Sequence, residues 1–177
     1  MRPRFLHWKE CGVRCYALFA YSEEVRSLLY QFKGCGDVEL RSIFFEHSLF
    51  LWKIRFHGYA LVPVPSSASR DSARGFNQVR EMFACFGLPE ISAIEKLGEG
   101  KQSDLSVSER AKVGQYLRFK EDFSVKNKKI LLVDDVYTTG STARACIQLL
   151  KRHGCTKIAF LAMAKTMPKH KERGIFL

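Results

Sequence analysis

The 177-residue chain has no apolar run approaching the 18 or more residues that a bilayer-spanning helix requires, and its N-terminus lacks the continuous apolar core of a secretory signal. These absences argue against a helical membrane span and lead to the expectation of a cytoplasmic protein. Closely paired cysteines are scarce as well. Cys11, Cys15, Cys35, Cys85, Cys146 and Cys155 are scattered, several at apolar-periodic positions, which reads as reduced core thiols rather than a disulfide framework. Cys11 and Cys15 are the one close pair, and with no second pair nearby they give little ground for a metal site. Acids are in short supply: 18 Asp and Glu against 29 Lys and Arg, a net charge of +11. That excess favours a polyanionic partner, a phosphorylated ligand or nucleic acid, although a solvated basic surface gives the same count.

What is present is the composition of an ordinary globular protein, 46% apolar and 27% charged, in a length that suits one domain with helices on both sides of a sheet. One stretch organises it: Lys129-Ile130-Leu131-Leu132-Val133-Asp134-Asp135-Val136-Tyr137-Thr138-Thr139-Gly140-Ser141-Thr142. Ile130 to Val133 suit a strand buried on both faces, and Ala143, Cys146, Ile147, Leu149 and Leu150 then recur at helical spacing. The polar residues between them form a loop at a strand-to-helix junction. There the first helical N–H groups lack intrahelical partners and lie at the positive end of the macrodipole, so an anion is favoured. Thr138, Thr139, Ser141 and Thr142 add hydroxyl donors, and Gly140 permits a tight turn and close approach. Asp134 and Asp135 repel a bare phosphate and suit sugar hydroxyls or a hydrated divalent cation. The ligand so described has a phosphate at one end and a ribose beside it. A strand ending in a polar turn with a good helix cap also explains Ser- and Thr-rich turns; the unbroken order of this run is far more specific.

In chain order, residues 1–12 read as a basic, aromatic arm or an ordered remnant, and Val13 to Tyr21 as a strand. Ser22 starts a helix with acids in its first turn and an apolar stripe of Val25, Leu28, Leu29 and Phe32, ending at Lys33-Gly34. Asp37 starts a long helix through Leu40, Ile43, Phe44, His47 and Phe50 toward Phe56, with Trp52 and Phe56 in the core and His47 packed or on the surface. Gly58 ends it. Tyr59 to Val62 is a buried strand closed by Pro63-Val64-Pro65-Ser66-Ser67, either a rigid exit turn or part of a site at the carboxyl end of a sheet. Gly75 precedes a helix with the face Val79, Met82, Phe83 and Phe86, closed by Gly87. Ile91 to Ile94 reads as a short strand, Glu95 to Asp104 as a flexible loop, Phe119 to Val125 as an edge segment and Asn127-Lys128 as a turn. The last helix runs from about Ser141 to His153, and Lys157 to Ala164 is the next buried strand. Residues 165–177 form a basic tail, attractive to nucleic acid or simply solvated, so that the domain proper is 13–164.

Asp134-Asp135-Val136-Tyr137-Thr138-Thr139-Gly140-Ser141-Thr142 resembles the signature of type I phosphoribosyltransferases, which bind 5-phosphoribosyl-1-pyrophosphate (PRPP). Val62-Pro63-Val64-Pro65 followed by Arg74-Gly75-Phe76-Asn77-Gln78, with the acidic-pair motif after them, is similar to the ComF family of competence proteins and its GntX-type relatives, over about Ala17 to Ala164. The resemblance implies an α/β fold with a central, mainly parallel sheet flanked by helices. It implies PRPP with Mg²⁺ as ligand: the 5′-phosphate on Thr138, Thr139, Gly140, Ser141 and Thr142, the ribose on Asp134 and Asp135, and the pyrophosphate near Pro65, Ser66 and Arg74. Arg74 suits a phosphate through its planar fork, and is equally explained as a surface arginine near a helix start. Lys101 is a flexible-loop contact by the same comparison, while Ser106-Val107-Ser108-Glu109 is a capping box that explains its neighbourhood without a ligand. Two departures stand out: Val113 replaces an asparagine of the family pattern, and the extra N-terminal zinc module of paired cysteines is not in this sequence. Either the chain is a short form or its start lies inside a longer protein.

Function divides three ways. An accessory factor for uptake of transforming DNA would bind PRPP and offer its basic surface to single-stranded DNA and to other competence proteins; Trp8, Tyr16 and Tyr116 are the candidate stacking aromatics. A working phosphoribosyltransferase, a pentosyl-transferring glycosyltransferase, would displace pyrophosphate at ribose C1 with Asp134, Asp135 and Mg²⁺ stabilising the developing charge, yet no general base for an acceptor is evident. A PRPP-sensing regulator would need no DNA.

Overall fold

A computed structural model of the chain describes residues 5–35, 45, 48–65, 77–97 and 116–167. Its centre is a five-stranded sheet ordered β1-β2-β7-β6-β3. The strands are β1 (Leu6–Glu10), β2 (Val13–Ala20), β3 (Tyr59–Pro63), β6 (Lys129–Tyr137) and β7 (Lys157–Lys165). β2, β7, β6 and β3 pair in parallel, and β1 is the one antiparallel member, at the edge. A separate ribbon joins β4 (Ile94–Lys96) to β5 (Leu117–Phe119).

The apolar run of β6 is sorted between two cores by the two-residue period of a strand. Ile130 and Leu132 face helix α4 (Ser141–Arg152), which contributes Ala143, Cys146, Ile147 and Leu150. Leu131 and Val133 face the opposite layer, formed by α1 (Glu23–Cys35), α2 (Leu49–Arg55) and α3 (Gln78–Phe83) through Val25, Leu29, Phe32, Trp52, Val79, Met82 and Phe83. With helices on both faces, the central strands read as continuous hydrophobic runs.

Local signals set most element ends. Ser22 Oγ accepts from the Val25 N–H at 3.4 Å at the start of α1, and Asn77 Oδ1 accepts from the Arg80 N–H at 2.9 Å at the start of α3. Pairing between distant segments set the others and overturns several expectations. Leu6–Glu10, expected within an arm or remnant, is edge strand β1, registered with Leu6 opposite Ala17 and Glu10 opposite Val13. Ile91 to Ala93 is not a strand; β4 starts at Ile94 and runs through Glu95 and Lys96, where a flexible loop was expected, because β5 supplies its partner. The expected edge segment from Phe119 is β-structure at Leu117–Phe119, and its later residues turn toward β6. Phe50 is 74% exposed on α2, off the apolar stripe assigned to it, while Trp52 and Phe56 are buried as expected. His47 and the expected helix start at Asp37 lie outside the described residues.

Candidate functional site

β6 lies between β7 and β3, and its carboxyl end opens beside those of its parallel neighbours, the position at which open α/β sheets bind ligands. The strand does not stop at Val133. It continues through both acids to Tyr137, with Asp134 opposite Ala162 and Val136 opposite Ala164. Adjacent residues in an extended strand project to opposite faces, so the two carboxylates separate. Asp135 goes to the α3 side, where its Oδ2 accepts from Nε2 of the buried Gln78 at 3.5 Å. Asp134 lies on the α4 side: burial, and then the charge of Asp134, push the Cys146 thiol pKa up. Each acid also holds the chain in front of it. Asp134 Oδ1 accepts from the Asp135 N–H at 2.9 Å, and Asp135 Oδ1 from the Val136 N–H at 2.6 Å. The pair therefore flanks the strand end on two sides, each half-buried.

Beyond Tyr137 the chain turns through Thr138, Thr139 and Gly140 into α4. Gly140 is the N-cap, at φ 76°, and brings no side chain of its own, while Thr139 Oγ1 accepts from the Ser141 N–H at 3.5 Å. The start of α4 is thus the positive end of a twelve-residue helix. Thr138 and Thr139 are exposed and Ser141 and Thr142 half-buried around it. Thr139 Oγ1 and Ser141 Oγ share a hydrogen bond at 2.9 Å, so both hydroxyls face one spot. Gly140 is required twice over: its backbone is left-handed, and a Cβ there would meet the hydroxyl of Tyr137 and stand 2.6 Å from its Cζ.

Pro65 is placed at the same end of the sheet by the β3–β6 register, which sets Pro63 opposite Val133, and by the Val64 N–H, which donates to the Val133 carbonyl at 2.8 Å. Ser66, Arg74 and Lys101 lie outside the described residues. The structure brings together Asp134, Asp135, Thr138 to Thr142 and Pro65. It adds residues not expected there: Gln78 on Asp135, Tyr137 beneath Gly140, Glu10 and Arg144 beside that ring, and Thr166, whose Oγ1 donates to the Thr138 carbonyl at 3.2 Å. Gln78 closes the Arg-Gly-Phe-Asn-Gln block, so a signal for it existed in the sequence. Glu10 carries none, since its part depends on the pairing of β1.

Beside β1 and β2, an apolar groove of about 870 Å³ runs between the strands and α2. Trp8, Tyr16, Trp52, Lys9, Arg14 and Arg55 are among its lining residues, with the Arg55 guanidinium 4.5 Å from the Tyr16 ring centroid.

Comparison with known proteins matches residues 89–174 to the phosphoribosyl transferase domain family. The chain is 32% identical to the competence protein ComFC of Streptococcus pneumoniae over 87% of its length and 69% of that protein. It is 29% identical to the ComFC of Bacillus subtilis over 78% of its length, and spans 58% of that relative. Among solved structures, an adenine phosphoribosyltransferase aligns over 91% of this chain and 84% of its own, at 12% identity and a TM-score of 0.49. The domain match and the mainly parallel sheet with helices on both faces identify the fold as that of the type I phosphoribosyltransferases.

Proposed function

Because this chain belongs to the ComF family of phosphoribosyltransferase-domain proteins, we propose that it binds PRPP at the carboxyl end of β6 and serves the uptake of transforming DNA. The observation that carries the ligand is the glycine-led start of α4, ringed by the hydroxyls of Thr138, Thr139, Ser141 and Thr142, shortly after two half-buried carboxylates. The 5′-phosphate sits on that loop, where the first helical amides and the helix dipole favour an anion. The ribose hydroxyls are held by Asp134 and Asp135 at the carboxyl end of β6. The pyrophosphate extends toward Pro65, with Ser66 and Arg74, outside the described residues, as its further contacts and Lys101, also outside them, as an additional ligand contact.

The donor set fits Mg²⁺ only in part. Among the described residues no cluster of three or more His, Cys, Asp or Glu side chains forms a metal cage. Two carboxylates at a strand end do suit a hydrated Mg²⁺ that arrives with a phosphate ligand, since that ion keeps most of its waters. Asp134 and Asp135 would hold it, and its charge would neutralise the pyrophosphate. The acids also face the ribose, where positive charge develops if the C1–O bond breaks. Whether an acceptor then takes C1, as in a phosphoribosyltransferase, is decided by pyrophosphate release across a panel of bases and amines; silence across the panel leaves PRPP binding or sensing as the activity.

The DNA part of this reading is supported by the groove beside β1, in which the half-buried Tyr16 stands among Lys9, Arg14 and Arg55. An aromatic face between cations suits the bases and phosphates of a single strand. Among the described residues no helix is long and apolar enough to cross a membrane, and we place this step on the cytoplasmic side. Titration of a fluorescent oligonucleotide at two salt concentrations tests it: affinity falling steeply with salt is expected, and no binding at low salt removes the DNA role.

A further inference from the structure

Glu10 ends β1 at the outer edge of the sheet, yet its carboxylate reaches the phosphate loop. It accepts a hydrogen bond from the Tyr137 hydroxyl and lies 3.5 Å from Nη1 of Arg144. Tyr137 is the last residue of β6 and Arg144 lies in the first turn of α4, so one carboxylate is tied to both sides of the turn through Thr138 and Gly140. Arg144 in turn donates through Nη2 to Ser141 Oγ at 3.4 Å. The Tyr137 ring fills the space a Cβ of Gly140 would take, and Trp8 and Phe160 hold that ring edge-on, with centroids at 4.7 and 5.7 Å. The Glu10 side chain is only 17% exposed, so these contacts are shielded from the screening that weakens surface ion pairs.

We infer that Glu10 is a positioning residue for phosphate binding: it sets the Tyr137 ring beneath Gly140 and holds Arg144 against Ser141, so that the loop from Thr138 to Thr142 is arranged before ligand arrives. The inference rests on the PRPP reading above and assigns that site a determinant on the far edge of the sheet. A loop fixed in its binding shape loses little entropy when the anion docks, whereas a loose one must be ordered at the cost of affinity. Electrostatics alone argues the other way. Removing an acid near an anion site makes the site more positive and should tighten binding. The sign of the effect therefore separates positioning from charge.

Calorimetry with Mg²⁺ and either ribose 5-phosphate or inorganic pyrophosphate, on the wild type, Glu10→Ala, Glu10→Gln and Tyr137→Phe, makes the test. Losing this tie loosens the loop, so Glu10→Ala should weaken ribose 5-phosphate about tenfold. Pyrophosphate, which does not use the loop, should bind it as it binds the wild type. Glu10→Gln keeps an acceptor for Tyr137 and should recover most of the loss. Equal or tighter ribose 5-phosphate binding by Glu10→Ala overturns the inference, as does an equal loss for both ligands. If Glu10→Ala does not fold, Tyr137→Phe carries the same comparison, since it deletes only the hydroxyl. A folded wild type that binds neither ligand defeats the PRPP reading and this inference together; a wild type that binds, beside an indifferent Glu10→Ala, defeats the inference alone.

Discussion

The ring of Tyr137 occupies the place that a side chain on Gly140 would need, with Cζ 2.6 Å and Cε2 2.9 Å from the Cβ position. Strand end and helix start are thereby locked across the phosphate loop. Gly140→Ala faces two penalties, a left-handed backbone at φ 76° and this collision. The backbone part alone is worth about 1–2 kcal/mol. The variant should melt at lower temperature and bind PRPP more weakly. In a Tyr137→Ala background the collision disappears and the penalty of Gly140→Ala should shrink to the backbone part, which a double-mutant cycle of thermal stabilities measures. An unchanged penalty in that background would show that the ring is not the obstacle.

The acidic pair is half-buried, and each carboxylate accepts a backbone N–H from the residue that follows it. Asn offers a similar acceptor of the same size without the charge. Asp134→Asn with Asp135→Asn should therefore keep the circular dichroism spectrum of the wild type and lose PRPP binding. Retained calorimetric affinity in that double variant would place the ribose elsewhere.

Burial first, then the hydrogen bond to Glu10 and the charge of Glu10, push the Tyr137 pKa up from 10.0 to about 12. The native state thus holds this proton more tightly than the unfolded chain. The associated stability is fully present below pH 10 and is lost as pH rises toward 12. Wild-type stability to urea should fall more steeply over that window than that of Tyr137→Phe, which has no proton to lose there. Parallel curves for the two proteins would contradict the raised pKa.

Thiol reactivity should follow burial. Burial raises the Cys146 and Cys155 thiols, and burial followed by the charge of Glu10 raises Cys15 to about 12; Cys11 is exposed. Only the thiolate reacts. Mass spectrometry after brief alkylation of the native protein should find Cys11 modified well before Cys15, Cys146 and Cys155. Early modification of Cys146 would mean that α4 does not pack on the sheet as described.

The central motif was legible because its signals are local. An apolar run, two acids, hydroxyls, a glycine and a helical repeat follow one another without a gap, and each element forms where its own residues favour it. Ser22 and Gly87 likewise marked element ends through chemistry that acts within a few residues, whereas the Asn77 cap emerges only in the structure. What stayed hidden depends on partners far along the chain. β1 alternates Leu6, Trp8 and Glu10 inward with His7 and Lys9 outward, a weak pattern that becomes a strand only against β2. β4 and β5 are three residues each and exist through each other. The extension of β6 through Asp134 to Tyr137 was missed for a similar reason: acids are poor strand formers by propensity, and the β7 ladder overrides that preference. Glu10, Arg144 and Thr166 could not be read as neighbours of the loop without the sheet order.

The most direct test is calorimetric titration of the intact protein with PRPP in the presence of Mg²⁺, alongside the variant in which Asp134 and Asp135 are both asparagine. Saturable one-to-one binding by the wild type and none by the variant is the predicted result. A folded wild type that gives no binding heat at any concentration of PRPP, confirmed by an unchanged melting temperature, would contradict the account at its centre.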